Sequence, residues 1–406
     1  MKRSLRFFFV CSFLILVFPT TTFAANPPNI QAKSYILLDP KSGAILAQKS
    51  MEEQLPPASM TKMMSEFIVL DKIKSGEITW EEEVTVSPRA AKIDEAQIHL
   101  ASGEKITVKE LYIAMAVQSA NDAVVALAEH IGGSEEKFVE MMNQKAQLLG
   151  MKNTYYCNSS GLGQKDYADP PECNSEHYMS AQDSAILAAE LTKAHPEVID
   201  TTSISHYTFH KGTSKEQKVT NWNKMLSGLP YAYEGVDGFK TGHTDAAGYC
   251  FTGSAIRGDM RLITVVMGTA NESKRFSETK KLLDLGFDNY KLRSLLQKGQ
   301  AIPGKEKLAL SNGVDREIAI GTKEDIVLPV ETGKEKSYTL KLTPDPNVKA
   351  PLSKGQVIGQ VEVLKDGKPI PGISSYELVA TEAMEEGSWF RLMFRSIGDE
   401  ISSWFK

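Results

Sequence analysis

The chain has 406 residues, 42% hydrophobic and 24% charged, with Gly 29 and Pro 18. Those proportions exclude wholesale disorder, collagen and coiled coil, and the length predicts two or three domains, each burying its own core. The formal net charge of −5 offers no basic stripe, which argues against nucleic acid as a partner.

Residues 1–24 read as a secretory signal. Lys2, Arg3 and Arg6 make a positive start, Phe7 to Phe18 is apolar, and Thr22-Phe23-Ala24 offers small residues where a signal peptidase reads. The apolar run is short of the ~20 residues that span a bilayer, which weighs against an uncleaved anchor. The mature protein is therefore expected outside the cytoplasm.

Strands are predicted at Ser34–Leu38 and Ala44–Gln48, around the turn Asp39-Pro40-Lys41-Ser42-Gly43. Pro56-Pro57 then precedes a helical pattern with Met60, Met63, Met64 and Phe67 on one face. Thr107-Val108-Lys109-Glu110 is a capping-box pattern opening a helix through about Val117. Ser119-Ala120-Asn121 interrupts it, and a helix resumes from Asp122 to Ile131 before Gly132-Gly133. Further helices are expected over Glu135–Leu149, Ala181–Lys193 and Lys274–Asn289, with loops from Met151 to Ser180. Gly248–Arg257 and Arg261–Thr269 form a hairpin around Gly258-Asp259. The pattern predicts an α+β catalytic domain over 25–293, an antiparallel sheet flanked by helices with a helical subdomain beside it.

Residues 294–384 carry short β-rich runs and predict a small all-β domain. The last segment, 385–406, differs in kind. On a helix from Ser388 to Lys406, the residues Phe390, Met393, Phe394, Ile397, Ile401, Trp404 and Phe405 share one face. It is too short and too charged to span, so it reads as an interfacial membrane anchor, with docking on the β domain as the alternative.

Removing the signal leaves Cys157, Cys173 and Cys250. A Cys157–Cys173 bridge suits an oxidising compartment, and unpaired cysteines are the alternative. Cys173 and His177 lack a second pair at zinc-ligand spacing, so no metal and no cofactor are expected.

Three short stretches carry chemistry. Ser59-Met60-Thr61-Lys62 puts a hydroxyl and an amine at i and i+3 on one helix side. Serine needs a base to become nucleophilic, and a lysine that has lost its charge can serve. The spacing also occurs at Ser102, Ser134, Ser277 and Ser403, but only Ser59 opens a strongly apolar helix after Pro56-Pro57-Ala58. Ser119-Ala120-Asn121 sits between two helices. There Asn121 or Asp122 can cap the second helix, or Ser119 can relay a proton while Asn121 bonds a substrate amide. Lys240-Thr241-Gly242 follows Val236-Asp237-Gly238-Phe239, and a Lys and Thr beside glycines that admit another backbone can hold a carboxylate.

The order Ser-x-x-Lys, Ser-x-Asn, Lys-Thr-Gly is far more specific than any member; a related set marks penicillin-binding proteins and class A β-lactamases. The sequence resembles the serine D-Ala-D-Ala carboxypeptidases, the low-molecular-mass penicillin-binding proteins, over nearly the whole mature chain. The resemblance implies a β-lactamase/transpeptidase-like fold and release of terminal D-alanine from peptidoglycan pentapeptides. Its expected partners are the peptidoglycan stem peptide, β-lactam antibiotics and the outer face of the cytoplasmic membrane. It implies Ser59 as nucleophile, Lys62 as base, Ser119 as proton shuttle and Asn121 as substrate-positioning residue. Lys240 and Thr241 would receive the terminal carboxylate, with Arg275 as a second orienting residue. The backbone N–H groups of Ser59 and His243 would hold the oxyanion. A β-lactamase is the first rival, opposed by the β domain, the tail and the lack of a Glu-x-x-Leu-Asn segment. A penicillin-binding sensor without turnover, and an endopeptidase or transpeptidase, are the others.

Overall fold

The computed structural model describes residues 28–163, 165, 167 and 169–403; the proposed signal 1–24 and the terminal Trp404 and Phe405 lie outside the described residues. Strands β1 (Ser34–Leu38) and β2 (Ile45–Lys49) form an antiparallel pair. A 3-10 turn, Ala58–Thr61, leads into α1 (Lys62–Ser75). Then follow β3 (Glu83–Thr85), β4 (Lys105–Thr107), α2 (Val108–Ile113), α3 (Asn121–Gly132) and α4 (Glu135–Leu148). Beyond them come β5 (Thr154–Tyr155), β6 (Tyr178–Met179), α5 (Ala181–Ala194), α6 (Val198–Thr202), β7 (His206–Phe209) and β8 (Gln217–Thr220). The chain then returns to the first sheet through β9 (Val236–Thr244), β10 (Gly248–Arg257) and β11 (Met260–Thr269), covered by α7 (Glu272–Asn289). The sheet order is β2-β1-β11-β10-β9, antiparallel throughout.

This α+β architecture is the expected one, and its details follow from side chains. Thr107 caps α2 by accepting from the Glu110 N–H, Ser134 caps α4 and Asn271 caps α7. The α1 helix does not have the single apolar face expected of it: every residue from Lys62 to Leu70 is buried. It is a central helix packed on all sides, so its polar members Lys62, Ser65 and Glu66 are interior groups. It ends at Gly76 in the left-handed conformation, φ 76°, with Lys72 and Lys74 in the last turn beside the negative end of the helix dipole.

The helix expected to run from Thr107 to Val117 instead stops at Ile113 and widens into a π-helical turn, Ala114–Gln118. Ser119 closes that turn at φ 62°. Of the two readings of this stretch, helix capping by Asn121 or Asp122 is not what the structure shows: Ala120 occupies the cap position, with no side-chain cap. Both polar side chains are spent elsewhere. Asp122 accepts from the backbone of Ile98, Leu100 and Ala123.

The C-terminal portion adds β12 (Tyr290–Leu296), β13 (Lys307–Ala309), β14 (Glu317–Thr322), β15 (Ile326–Glu331), β16 (Tyr338–Pro344), β17 (Val357–Lys365), β18 (Lys368–Pro369) and β19 (Tyr376–Ala380). They enclose a separate apolar core that includes Ile318, Leu328, Val361 and Leu378. The loop after β18 touches the catalytic sheet, where the Ile45 N–H donates to the Pro371 carbonyl at 2.9 Å.

Helix α8 (Trp389–Ser403) lies on this β domain through its arginines. Arg391 and Arg395 donate to the carbonyls of Val314 and Gly313 at 3.0 Å, and Arg316 pairs with Asp399 at 2.6 Å. The opposite face leaves Trp389 68%, Phe390 65%, Phe394 67% and Ile397 46% exposed. Among the described residues no helix is long and apolar enough to cross a membrane.

Candidate active site

A cleft of ≈ 790 Å³ opens between the sheet edge at β9 and the helical subdomain; Ser59, Ser119, Asn121, Thr241, His243 and Arg275 line it. Lys62 and Lys240 are buried behind its wall. The three sequence stretches therefore meet, one from the entry to α1, one from the π-turn and one from β9.

Lys62 lies at the centre of the site. Its Nζ lies 2.9 Å from Ser59 Oγ, 2.7 Å from Asn121 Oδ1 and 2.8 Å from the Ser160 carbonyl. The last two oxygens can only accept. A neutral amine has two N–H bonds and one lone pair, so both N–H bonds go to Asn121 and Ser160 and the lone pair faces the Ser59 hydroxyl. A protonated amine in the same place has no lone pair and cannot take the serine proton.

The surroundings favour the neutral form. Burial pushes Lys62 well below its ordinary range and the nearby Lys240 adds to this, while Glu66 and Asp122 pull the other way. Desolvation is the largest influence, as expected for a wholly interior amine. Lys240 is itself pushed down to about 7, chiefly by burial, with Glu66 opposing and Arg275 assisting. Its Nζ donates to the Thr241 carbonyl at 3.3 Å. Glu66, one turn after Lys62, is pushed up to about 7 by burial, and among the described residues neither carboxyl oxygen has a hydrogen-bond partner.

Asn121 braces Lys62 as well as lining the cleft. Its Oδ1 accepts from Lys62 and its Nδ2 donates to the Asp94 carbonyl at 2.9 Å, which fixes the amide orientation. Arg275 is held at the other end. It donates to the Gly242 carbonyl at 3.3 Å and pairs with Glu272 at 3.3 Å, and Glu272 also accepts from Lys224 at 2.6 Å. The His243 side chain is exposed and packs on Tyr249, ring centroids 4.1 Å apart.

Several contributors escaped the sequence reading. The Ser160 carbonyl is a backbone group with no residue-type signature. Glu66 sits in an apolar run and reads there as a solvated position. Trp222, 41% exposed, lines the cleft and donates from Nε1 to the Gln118 carbonyl at 3.0 Å, but it lies in a stretch without periodicity. The Cys157–Cys173 bridge, one of two open readings, is formed, and Cys250 is a buried free thiol. Among the described residues no cluster of His, Cys, Asp and Glu could hold a metal ion.

A family model described as D-alanyl-D-alanine carboxypeptidase matches residues 21–271, and one described as the C-terminal domain of penicillin-binding protein 5 matches 290–386. The chain is 35% identical to the D-alanyl-D-alanine carboxypeptidase DacF of Bacillus subtilis, over 91% of this chain and 90% of that one. It is 31% identical to DacC of Escherichia coli, over 97% and 95%. The structure of penicillin-binding protein 5 from Haemophilus influenzae superposes with a TM-score of 0.75 at 35% identity, covering 89% of this chain and 99% of that one. Penicillin-binding protein D2 from Listeria monocytogenes, solved in its ampicillin-bound form, superposes on 64% of this chain and 98% of its own with a TM-score of 0.53 at 31% identity. The likeness thus runs through both the catalytic and the β-rich portions, and the chain belongs to the serine-type D-alanyl-D-alanine carboxypeptidases, the low-molecular-mass penicillin-binding proteins.

Proposed function

We propose that this carboxypeptidase releases terminal D-alanine through an acyl-enzyme at Ser59. The observation that carries the reading is the buried Lys62 amine, 2.9 Å from Ser59 Oγ with Asn121 Oδ1 and the Ser160 carbonyl as its other partners, an arrangement in which the neutral amine turns its lone pair to Ser59. The Ser59 proton passes to Lys62 as Oγ attacks the carbonyl carbon of the penultimate D-Ala. The backbone N–H groups of Ser59 and His243 take the oxyanion. Ser119 relays the proton from Lys62 to the departing amine, and the C–N bond breaks. Water then attacks the ester, and Ser59 recovers its proton. Thr241, Lys240 and Arg275 receive the terminal carboxylate. A β-lactam carbonyl meets the same serine, so a penicillin forms the corresponding ester.

The exposed aromatic face of α8 supports anchoring at a membrane surface. Each large apolar side chain contributes ~1.5–3 kcal/mol when fully buried, so even partial insertion of four outweighs the weak electrostatics of a nearly neutral helix. We read the chain as a signal over 1–24, a catalytic domain over 25–293, a β-rich domain over 294–384 and an anchor over 385–406. It would work on stem peptides at the outer face of the cytoplasmic membrane. The test is Ser59→Ala, which is expected to abolish both covalent labelling by a fluorescent penicillin and D-Ala release from diacetyl-Lys-D-Ala-D-Ala. Persistence of either would remove Ser59 from the mechanism.

A further inference from the structure

The carbonyl that orients Lys62 belongs to a loop, and that loop is fastened from below by a buried carboxylate that takes no part in the reaction. Glu135 is the first residue of α4, where the positive end of the helix dipole favours an anion. It is wholly buried. Its Oε1 accepts from the Ser159 N–H at 3.0 Å, from Ser159 Oγ at 2.7 Å and from the Tyr167 hydroxyl at 2.9 Å. Arg89 faces its other oxygen at 3.2 Å. Tyr167 in turn meets Ser160 Oγ at 2.9 Å. The two carbonyls of this serine pair then reach α1: that of Ser159 accepts from Ser65 Oγ at 2.7 Å and that of Ser160 from Lys62 at 2.8 Å.

The mouth of the loop is closed separately. Cys157 is bridged to Cys173, and the Cys157 N–H donates to His177 Nδ1 at 3.3 Å. That bond makes Nδ1 the acceptor, so the neutral ring carries its proton on Nε2, which donates to Thr61 Oγ1 at 2.9 Å. Thr61 Oγ1 donates on to the Ala58 carbonyl at 2.8 Å, next to the nucleophile.

We propose that Glu135 is a positioning residue for the general base, holding the Ser159–Ser160 carbonyls against α1 and so keeping Lys62 both aimed and dry, with the Cys157–Cys173 bridge closing the same clamp. Among the described residues, four charged or titratable groups face Lys62: Lys240 from β9, Glu66 from its own helix, Asp122 from α3 and His177 beside β6. Lys240, Glu66 and Asp122 lie outside the clamp, and His177 touches only its mouth, through the Cys157 N–H. Loosening the loop leaves Lys240, Glu66 and Asp122 in place and changes the solvation and aim of the amine; losing the Glu135 charge would by itself favour the neutral amine, so an upward move of the limb reports solvation. Water that reaches Lys62 stabilises its ammonium form, so the pH below which the enzyme loses its base moves upward.

The inference rests on Lys62 being the base, and the experiment separates the two. The rate of D-Ala release is measured against pH for wild type, Lys62→Ala, Glu135→Gln, Tyr167→Phe and the double variant Cys157→Ser/Cys173→Ser. A Lys62→Ala enzyme that keeps the wild-type acid limb ends the reading of Lys62 itself. If that reading stands, Glu135→Gln is expected to raise the acid limb by about one pH unit, a tenfold loss below the limb that recovers at alkaline pH, with KM little changed. Tyr167→Phe and the double serine variant are expected to move it the same way by less. A purely structural defect lowers the rate equally at every pH. An acid limb that stays in place, or a uniform loss, overturns the proposal; if Glu135→Gln does not fold, the other two variants decide it by the same criterion.

Discussion

Gly161 presses against Ala58. Its φ is +83°, and a β-carbon there would lie 1.9 Å from the Ala58 carbonyl oxygen. From the other side a β-carbon on Gly242 would meet the Pro57 carbonyl at 2.6 Å. The turn that carries Ser59 is thus gripped between two glycine backbones, with Ala58 at φ 48°. Alanine at 161 is opposed by both sterics and conformation, and at 242 by sterics alone. Misplacing a reacting group by ~1 Å costs on the order of 10²-fold in rate. Gly161→Ala is expected to lose penicillin labelling and to melt at lower temperature, and Gly242→Ala to lose labelling with a smaller change in melting. Wild-type labelling by Gly161→Ala would show that the turn is not held this way.

The charges around Lys62 predict two pH shifts of opposite sign. Glu66 favours the ammonium form of Lys62 and Lys240 disfavours it. Glu66→Gln therefore lowers the pKa of Lys62 and moves the acid limb of penicillin acylation to lower pH. Lys240→Ala removes a neighbouring cation and moves that limb to higher pH. Acylation rates followed from pH 4 to pH 9 test both, and a common direction for the two variants would contradict the assignment. A related effect appears in stability. Burial pushes Lys240 down to about 7 in the fold, against an ordinary 10.5. Between those values the unfolded chain binds more protons, so this residue makes stability rise with pH across that window, and its full cost is present below it.

Arg275 predicts selectivity for a free carboxylate. Hydrogen bonds to a charged group contribute ~1.5–3 kcal/mol, and ~1.4 kcal/mol is tenfold. Arg275→Ala is expected to lower kcat/KM for a peptide ending in D-Ala-D-Ala roughly tenfold to hundredfold, and to leave the corresponding C-terminal amide almost unaffected. Equal losses on the two substrates would assign Arg275 to scaffolding of Gly242 and Glu272.

The outward face of α8 predicts membrane release without unfolding. Phe390→Ser with Phe394→Ser removes two of its most exposed large side chains and leaves Arg391 and Arg395 on the β domain. The double variant is expected in the supernatant after sedimentation with phospholipid vesicles, with unchanged D-Ala release in solution. Continued co-sedimentation would rule out this face as the anchor.

Local order was legible in the chain. Turn residues, a capping box and period-2 runs located β1, β10, β11 and the start of α2, because those signals act within a few residues. The motif order at Ser59, Ser119 and Lys240 pointed to one cleft and to a family. What the sequence could not say is which groups surround the lysine. Asn121 and Ser160 stand 59 and 98 residues from Lys62, and one of them contributes only a backbone oxygen, which every residue carries. Glu66 and Glu135 look like ordinary helix surface until the helices are packed from all sides. Solvation decides the charge of an amine, and solvation is a property of the assembled interior, so the protonation state on which this chemistry depends is set only by the tertiary fold.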